Sequence, residues 1–379
     1  MKNKFLGLYL HIPFCVKKCA YCDFLSFPAD DFVKRAYTRA LIREIETVGR
    51  EMKGRGADTV FIGGGTPTAL PTDCLRDIFK ALQDHFNILE NAEITMEMNP
   101  GTDREELDDV IGNYVNRISL GLQSMNDKEL EMLGRIHRRD DFLKSYEHVR
   151  RLGIQNINID LMSALPGQNL KSWLKTLTEV TTLQSQHISA YSLIIEEGTP
   201  FYELNQKKAL ALPDEDSERE MYEQTENVLK KAGYHRYEIS NYAKNGYESR
   251  HNKKYWTGDD YLGLGLGASS LLNEERWHNT ADMADYIKES GNTEILREDV
   301  QKLTRKDQME EFMFLGLRLM KGVSLTEFKE RFGKSMEEVY GSVLKKLIGQ
   351  NLLIKEKDRI ALTKRGIDVS NQVMSEFLF

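Results

Sequence analysis

Cysteine is nearly absent from this chain: there are four in 379 residues, and three of them stand at positions 15, 19 and 22. So few thiols exclude a disulfide-built scaffold, and three crowded into one loop mark that loop as chemically employed. The fourth, Cys74, falls in a predicted helix and reads as a buried, inert thiol. Proline is sparse at eight, and no low-complexity stretch marks a flexible linker. A basic excess is also missing, since 52 Lys and Arg face 59 Asp and Glu for a net charge of −7. A general nucleic-acid binder carries the opposite balance, so nucleic acid is not an expected partner. No run approaches the ~20 apolar residues that a membrane span needs. The start, Met1 to Pro13, joins two lysines to apolar residues, but His11 interrupts it and no small-residue cleavage site follows. It reads as a strand, not a leader. A cytoplasmic protein is expected, monomeric or weakly dimeric.

What the chain does have is rhythm. Short β-branched runs at 6–12, 58–62, 93–98, 115–120, 154–161 and 188–193 alternate with amphipathic helical patterns at 31–53, 72–85, 127–133, 140–152 and 170–183. Six strand-then-helix units predict a parallel sheet, because each crossover helix returns the chain to the same end. Six units are fewer than a closed eightfold barrel has, which points to an α/β fold with a partial (β/α)6 barrel. Functional loops then gather at the C-terminal ends of the strands. Beyond 200 the rhythm changes: a helix over 214–232, a strand near 234–239, and an aromatic and glycine-rich segment at 249–270. Gly263, Gly265 and Gly267 imitate a dinucleotide fingerprint but lack its strand-turn-helix context, so a glycine-rich strand is the plainer reading. Helices at 306–319, 324–332 and 335–349 precede a hairpin around Lys357 and Asp358, a winged-helix-like order. The expected division is a barrel at 1–200, its α+β extension at 201–300 and a C-terminal module at 301–379. The acidic balance favours packing or a lid over DNA binding for that module.

The cysteine loop has CxxxCxxC spacing: Cys15, Cys19, Cys22. Three thiolates can hold three irons of a cubane and leave the fourth iron open, whereas electron-carrying clusters normally use four cysteines. A small molecule with adjacent amine and carboxylate groups can chelate that iron. Lys17 and Lys18 set positive charge beside the anionic cluster. The alternative is structural zinc, which usually takes a closed set of four ligands; the only fourth candidate nearby is His11.

After β-strand 58–62 come Gly63, Gly64, Gly65 and Thr66, where the lack of side chains lets backbone approach a ligand. A triple glycine is as often only a turn. Glu97, between Met96 and Met98 at a strand end, can hold an ammonium or a ribose hydroxyl; a solvated carboxylate is the alternative.

The cysteine loop after a first strand, with Gly-Gly-Gly-Thr-Pro closing the second, resembles the radical-SAM superfamily. Within it, that glycine segment together with His251-Asn252-x-x-Tyr255-Trp256 resembles the group of oxygen-independent coproporphyrinogen dehydrogenases and their haem-chaperone relatives. The resemblance runs residue by residue from Tyr9 to Asp160 and more loosely to the end. It implies a [4Fe–4S] cluster on the three cysteines and S-adenosylmethionine (SAM) at the open iron, held by Tyr9, Tyr21, Gly64, Gly65, Thr66, Glu97, Gln123, Arg135 and Asp160. It leaves open whether a second SAM binds. His251 becomes a candidate haem ligand, with Tyr255 and Trp256 packing on the macrocycle; a hydrogen-bonded structural histidine is the alternative, and His137 reads as one. The dehydrogenases carry a further cysteine two residues past the third, and an extension before the first strand. Here that position is Phe24 and the first strand begins almost at Met1. The resemblance therefore favours the chaperone branch, with haem as cargo and haemoproteins, including membrane-bound respiratory enzymes, as acceptors. The alternative is the dehydrogenase, which removes two propionate carboxyls by radical chemistry that its cofactor supplies.

Overall fold

The computed structural model describes residues 5–378; Lys2 and Lys4 of the leader-like start lie outside them. Six strands stand side by side in chain order, all parallel: β1 (Leu6–Ile12), β2 (Gly56–Gly64), β3 (Asn87–Met98), β4 (Arg117–Gln123), β5 (Asn156–Ser163) and β6 (His187–Ser192). Helices return the chain in each gap, among them Asp31–Glu51, Thr72–His85, Asp108–Tyr114, Arg139–Arg151 and Leu170–Thr182. The α/β fold with its six strand–helix units is the one the sequence predicts. Its physical basis is plain along two elements. β4 is buried along its whole length, as a strand covered on both faces must be. The helix Thr72–His85 hides Cys74, Leu75, Ile78, Phe79 and Leu82 on one stripe, and Cys74 is the buried free thiol expected.

Short strands extend this sheet at both edges. β8 (Asn241–Ala243) lies antiparallel beside β6, and β7 (His235–Arg236) antiparallel beside β8. β9 (Tyr261–Leu264) pairs parallel with β1, and β10 (Ser269–Leu272), β11 (Glu275–Asn279) and β12 (Arg297–Lys302) continue antiparallel, making twelve strands in one sheet. The strand expected at 234–239 shrinks to two residues. The chain must turn back at 237–240 to lay β8 on β6, and Glu238 caps that turn by accepting from Ser240 N–H and Asn241 Nδ2. The aromatic segment contains a helix that the periodicity does not reveal, Arg250–Thr257, capped by Ser249 and ended by Gly258 at φ +62°. The glycine-rich strand expected around 263–267 is β9 and the turn after it. Gly265, at φ +107°, leaves no room for a Cβ, which falls 2.6 Å from the Tyr37 hydroxyl.

One hydrophobic core fills residues Leu6 to Leu296 and a second fills Met313 to Phe377. The second belongs to the helices Arg305–Gly316, Leu325–Phe332 and Met336–Gly349, with β13 (Val323–Ser324), β14 (Leu353–Glu356) and β15 (Arg359–Leu362) in the antiparallel order β13-β15-β14. This is the winged-helix-like order read from the sequence. Among the described residues no helix is long and apolar enough to cross a membrane.

Candidate functional site

The C-terminal ends of β1 to β5 converge on a cavity of about 470 Å³. Cys15, Cys19 and Cys22 line it, as do Tyr21, Gly64, Gly65, Thr66, Glu97, Gln123, Arg135 and Asp160. Chain positions 15 to 160 meet there only because each parallel strand delivers its end to the same side of the sheet.

The cysteine loop is held from several directions. Cys15 N–H donates to Phe27 C=O at 3.2 Å, and Cys22 N–H to Cys19 C=O at 3.3 Å. The Ala20 peptide donates to Leu133 C=O and accepts from Phe201 N–H, both at 3.0 Å. Two donors face the sulfurs: Thr66 Oγ1 stands 3.5 Å from Cys15 Sγ, and Arg135 Nη1 3.5 Å from Cys19 Sγ. Arg135 is itself fixed by Asn99 Oδ1 at 2.5 Å and Gly121 C=O at 2.7 Å. Burial works against its charge, but Tyr21 and Cys19 beside it hold its pKa above the ordinary value. Burial also pushes the Cys22 thiol and the Tyr21 phenol up. The three thiols are free and half-buried. Among the described residues no three His, Cys, Asp or Glu side chains converge on a single-ion site. Three thiols lining one mouth, two of them facing hydrogen-bond donors, fit a cluster whose sulfur ligands are tuned by such donors.

The glycine run has a different job from the one its motif suggests. Gly64 N–H donates to Glu97 Oε2 at 3.1 Å, Gly65 N–H to Ile12 C=O at 2.9 Å and Thr66 N–H to Phe14 C=O at 2.7 Å. Those N–H groups are spent within the protein. A Cβ on either glycine would collide with the protein itself: on Gly64, at φ +98°, it falls 2.3 Å from the His11 ring, and on Gly65 it falls 2.6 Å from the Ile12 and Phe14 carbonyl oxygens, so the glycines let this turn pack closely against the end of β1.

Glu97 and Asp160 are half-buried acids in the cavity wall. Burial first, then the neighbouring Asp160, pushes Glu97 up to about 8. Burial raises Asp160 too, against hydrogen bonds from Ser119 Oγ at 2.9 Å and Asn158 Nδ2 at 2.8 Å. Both are poised for a cationic or hydroxylated ligand that restores the charged form.

Tyr9 and His251 lie elsewhere. They line a second cavity of about 210 Å³ that shares Glu97, Ser119, Asp160 and Tyr191 with the first and adds Arg117, Asn252 and Tyr255. Tyr9 hydroxyl bonds His11 Nδ1 at 3.0 Å, and His11 Nε2 meets Leu25 C=O at 2.8 Å, tying β1 to the chain just past the cysteines. His251 is fully buried, with Nδ1 2.9 Å from Thr59 Oγ1 and Nε2 2.9 Å from the Tyr255 hydroxyl. Burial, with Lys254 and Arg117 nearby, drops its pKa to about 3, so it is neutral. His137 is buried against Leu122 C=O, the structural role expected. Sequence reasoning misses Asn99 and Arg117. Asn99 follows a Met-rich strand end before Pro100 and reads only as a turn; Arg117 carries no local signal at all.

Comparison with known proteins agrees with this geometry. Residues 9–180 match the Radical SAM superfamily, and residues 303–369 match the HemN C-terminal domain. The heme chaperone HemW of Lactococcus lactis is 37% identical over all of this chain and 98% of its own length. That of Bacillus subtilis is 38% identical over 98% of each. Among solved structures, coproporphyrinogen III oxidase (HemN) from Escherichia coli, described as a radical SAM enzyme, superposes with a TM-score of 0.87 at 22% identity, covering 99% of this chain and 90% of that one.

Proposed function

This chain belongs to the radical SAM superfamily, in its HemW/HemN-like group, and from that premise we propose that it is a haem chaperone. In this reading it carries a [4Fe–4S] cluster and SAM and passes haem to acceptor haemoproteins in the cytoplasm or at the membrane face. The observation that carries it is the composition of the mouth: among the described residues three free thiols line it and no fourth does, with an exposed Phe24 at the position two past Cys22. Full-length relatives named as haem chaperones, at 31–38% identity, support the same branch.

In our assignment Cys15, Cys19 and Cys22 hold the cluster. Thr66 and Arg135 donate toward its sulfur ligands. Gly64 and Gly65 let the backbone wall pack tightly on β1 beside the ligand, Tyr21 packs against it, and Glu97, Gln123 and Asp160 take its polar groups. The bound cluster supplies the electron that radical-SAM chemistry requires. Tyr9, held by His11, acts from the second cavity. His251 serves as the haem ligand only on condition that its ring gives up Tyr255 or Thr59, since both nitrogens are engaged.

The test is one anaerobic sample. Reconstitution with iron and sulfide gives about four irons per chain, and Cys15→Ala, Cys19→Ala or Cys22→Ala each abolishes the cluster absorption. Haem titration gives a saturable complex, and coproporphyrinogen with SAM and reductant stays unconverted. Appearance of the decarboxylated porphyrinogen replaces the chaperone with the dehydrogenase. An unaltered haem spectrum in His251→Ala removes that histidine from the site.

A further inference from the structure

The parallel strands enclose a polar interior. Residues two apart on a strand share a face, and one face carries Thr95 and Glu97 of β3, Arg117 and Ser119 of β4, and Asn158 and Asp160 of β5. Register sets them in layers: Thr95 pairs with Arg117, Glu97 with Ser119, and Ser119 with Asn158. Strand–helix barrels usually fill their interior with branched apolar side chains. Here that face borders the second cavity, of about 210 Å³. The helix Arg250–Thr257 closes it from one side, with His251 and Tyr255 in its wall. The N–H groups of Arg250 and His251 fix that helix on Glu93, at 3.1 and 3.0 Å. On the other side the chamber adjoins the cluster cavity, with which it shares Glu97, Ser119, Asp160 and Tyr191.

Among the described residues Arg117 is the one Lys or Arg in the chamber wall, and it is 1% exposed. Its hydrogen-bond partner is Thr95 Oγ1, at the long distance of 3.5 Å. Its Nε, which can only donate, has no acceptor. A cation taken out of water without a counter-charge is costly for a fold to keep. The neighbouring groups that titrate do not supply that charge. Burial holds the phenols of Tyr9, Tyr191, Tyr237 and Tyr255 protonated. His187 and His251 are neutral, because burial first and Arg117 among the nearby charges lower their pKa values. Glu93 is engaged by the helix N–H groups. The acids in the chamber wall are Glu97 and Asp160, and both feel Arg117 as a pull toward the ionised form, against burial. The same two side chains face the cluster cavity, so a charge set from the inner chamber is presented at the outer one.

We infer that Arg117 is a positioning residue for SAM: from the inner chamber its guanidinium holds Glu97 and Asp160 as the carboxylates that receive the polar groups of SAM in the cluster cavity. The inference rests on the assignment of those two acids to SAM and deepens it. Arg117 does not touch the ligand; it acts through the acids. Without it, burial returns them toward the protonated form, and a carboxylic acid accepts hydrogen bonds more weakly than a carboxylate.

The experiment measures SAM binding to the anaerobically reconstituted full-length protein by equilibrium dialysis, from about pH 6 to 9.5. Wild-type affinity rises with pH until Glu97 is ionised, near pH 8. Losing a nearby opposite charge raises a carboxyl pKa by about one unit or more. Arg117→Met therefore binds SAM about tenfold more weakly at pH 7 and approaches wild type at the alkaline end, a convergence that a merely structural defect does not produce. Arg117→Lys keeps the charge and stays within about threefold of wild type throughout. A wild-type pH profile in Arg117→Met overturns the inference. Should that variant not fold, the lysine variant decides, and loss of SAM binding by folded Arg117→Lys overturns the inference as well. Failure of wild type to bind SAM at all instead overturns the SAM assignment. The carboxylic acid band in the infrared, identified with Glu97→Gln, then tests Arg117 by itself: it titrates at higher pH in Arg117→Met than in wild type, and an unmoved band denies the charge coupling.

Discussion

Glu44 shows how much one buried side chain decides here. It sits in the first long helix, inside the core, where its carboxylate accepts from Gly265 N–H at 2.8 Å, Tyr286 hydroxyl at 2.5 Å and Asn279 Nδ2 at 2.7 Å. Burial outweighs those donors and raises its pKa to about 7. The folded state therefore holds this proton more tightly than the unfolded chain does. The stability it contributes is complete below the unfolded value of 4.5 and is lost as pH rises through about 7. A proton held that much more tightly is equivalent to a stability change on the order of 3 kcal/mol. Urea unfolding across pH 4.5 to 7.5 should show Glu44→Gln with a flatter slope than wild type; parallel slopes assign the titration to another group. Glu97 is raised in the same sense. Residues of this kind are not legible in sequence. Glu44 looks like any helical glutamate until tertiary contact takes it out of water.

At the scale of elements, the cysteine loop depends on a segment that no motif includes. The short helix Pro200–Gln206 presents Phe201, which is buried with Leu133 and Leu165, with Ala20 and Tyr21 packed against them. Its N–H also holds the Ala20 carbonyl. Phe201→Ala removes about 3 kcal/mol or more of packing at that spot. The expected outcome is a reconstituted cluster that is lost faster in air and an altered electron paramagnetic resonance signal, with the far-ultraviolet dichroism of the fold preserved. A cluster as long-lived as wild type denies the clamp. The helix Arg250–Thr257 makes the same point from the other side. Its cap signals, Ser249 before and Gly258 after, are present in the sequence. The aromatic and lysine side chains between them hide any single apolar stripe, because both faces of that helix are packed, one on the barrel and one on the module.

For the whole molecule, the sheet runs unbroken from β12 to β7, and residues beyond 200 complete both of its edges. The C-terminal module adds the Arg276–Glu311 pair, bonded at 2.7 and 3.1 Å, and covers Ile239. A chain ending at Lys302 is expected to melt several degrees lower than the full chain by calorimetry, and an unchanged midpoint makes the module energetically separate. The sequence by itself determined the strand–helix rhythm, and hence the α/β class, because hydrophobic period is a local property of the chain. It determined the cysteine loop and the family too, because a spacing of three thiols is chemistry written within eight residues. Only the tertiary structure decided that the glycine N–H groups are spent at home, that His251 points inward with both nitrogens engaged, and that the Arg318 guanidinium lies over the Trp256 ring. Those facts depend on which distant segments share a boundary after folding, and burial, which sets their hydrogen bonds and charges, exists only once the sheet has closed over them.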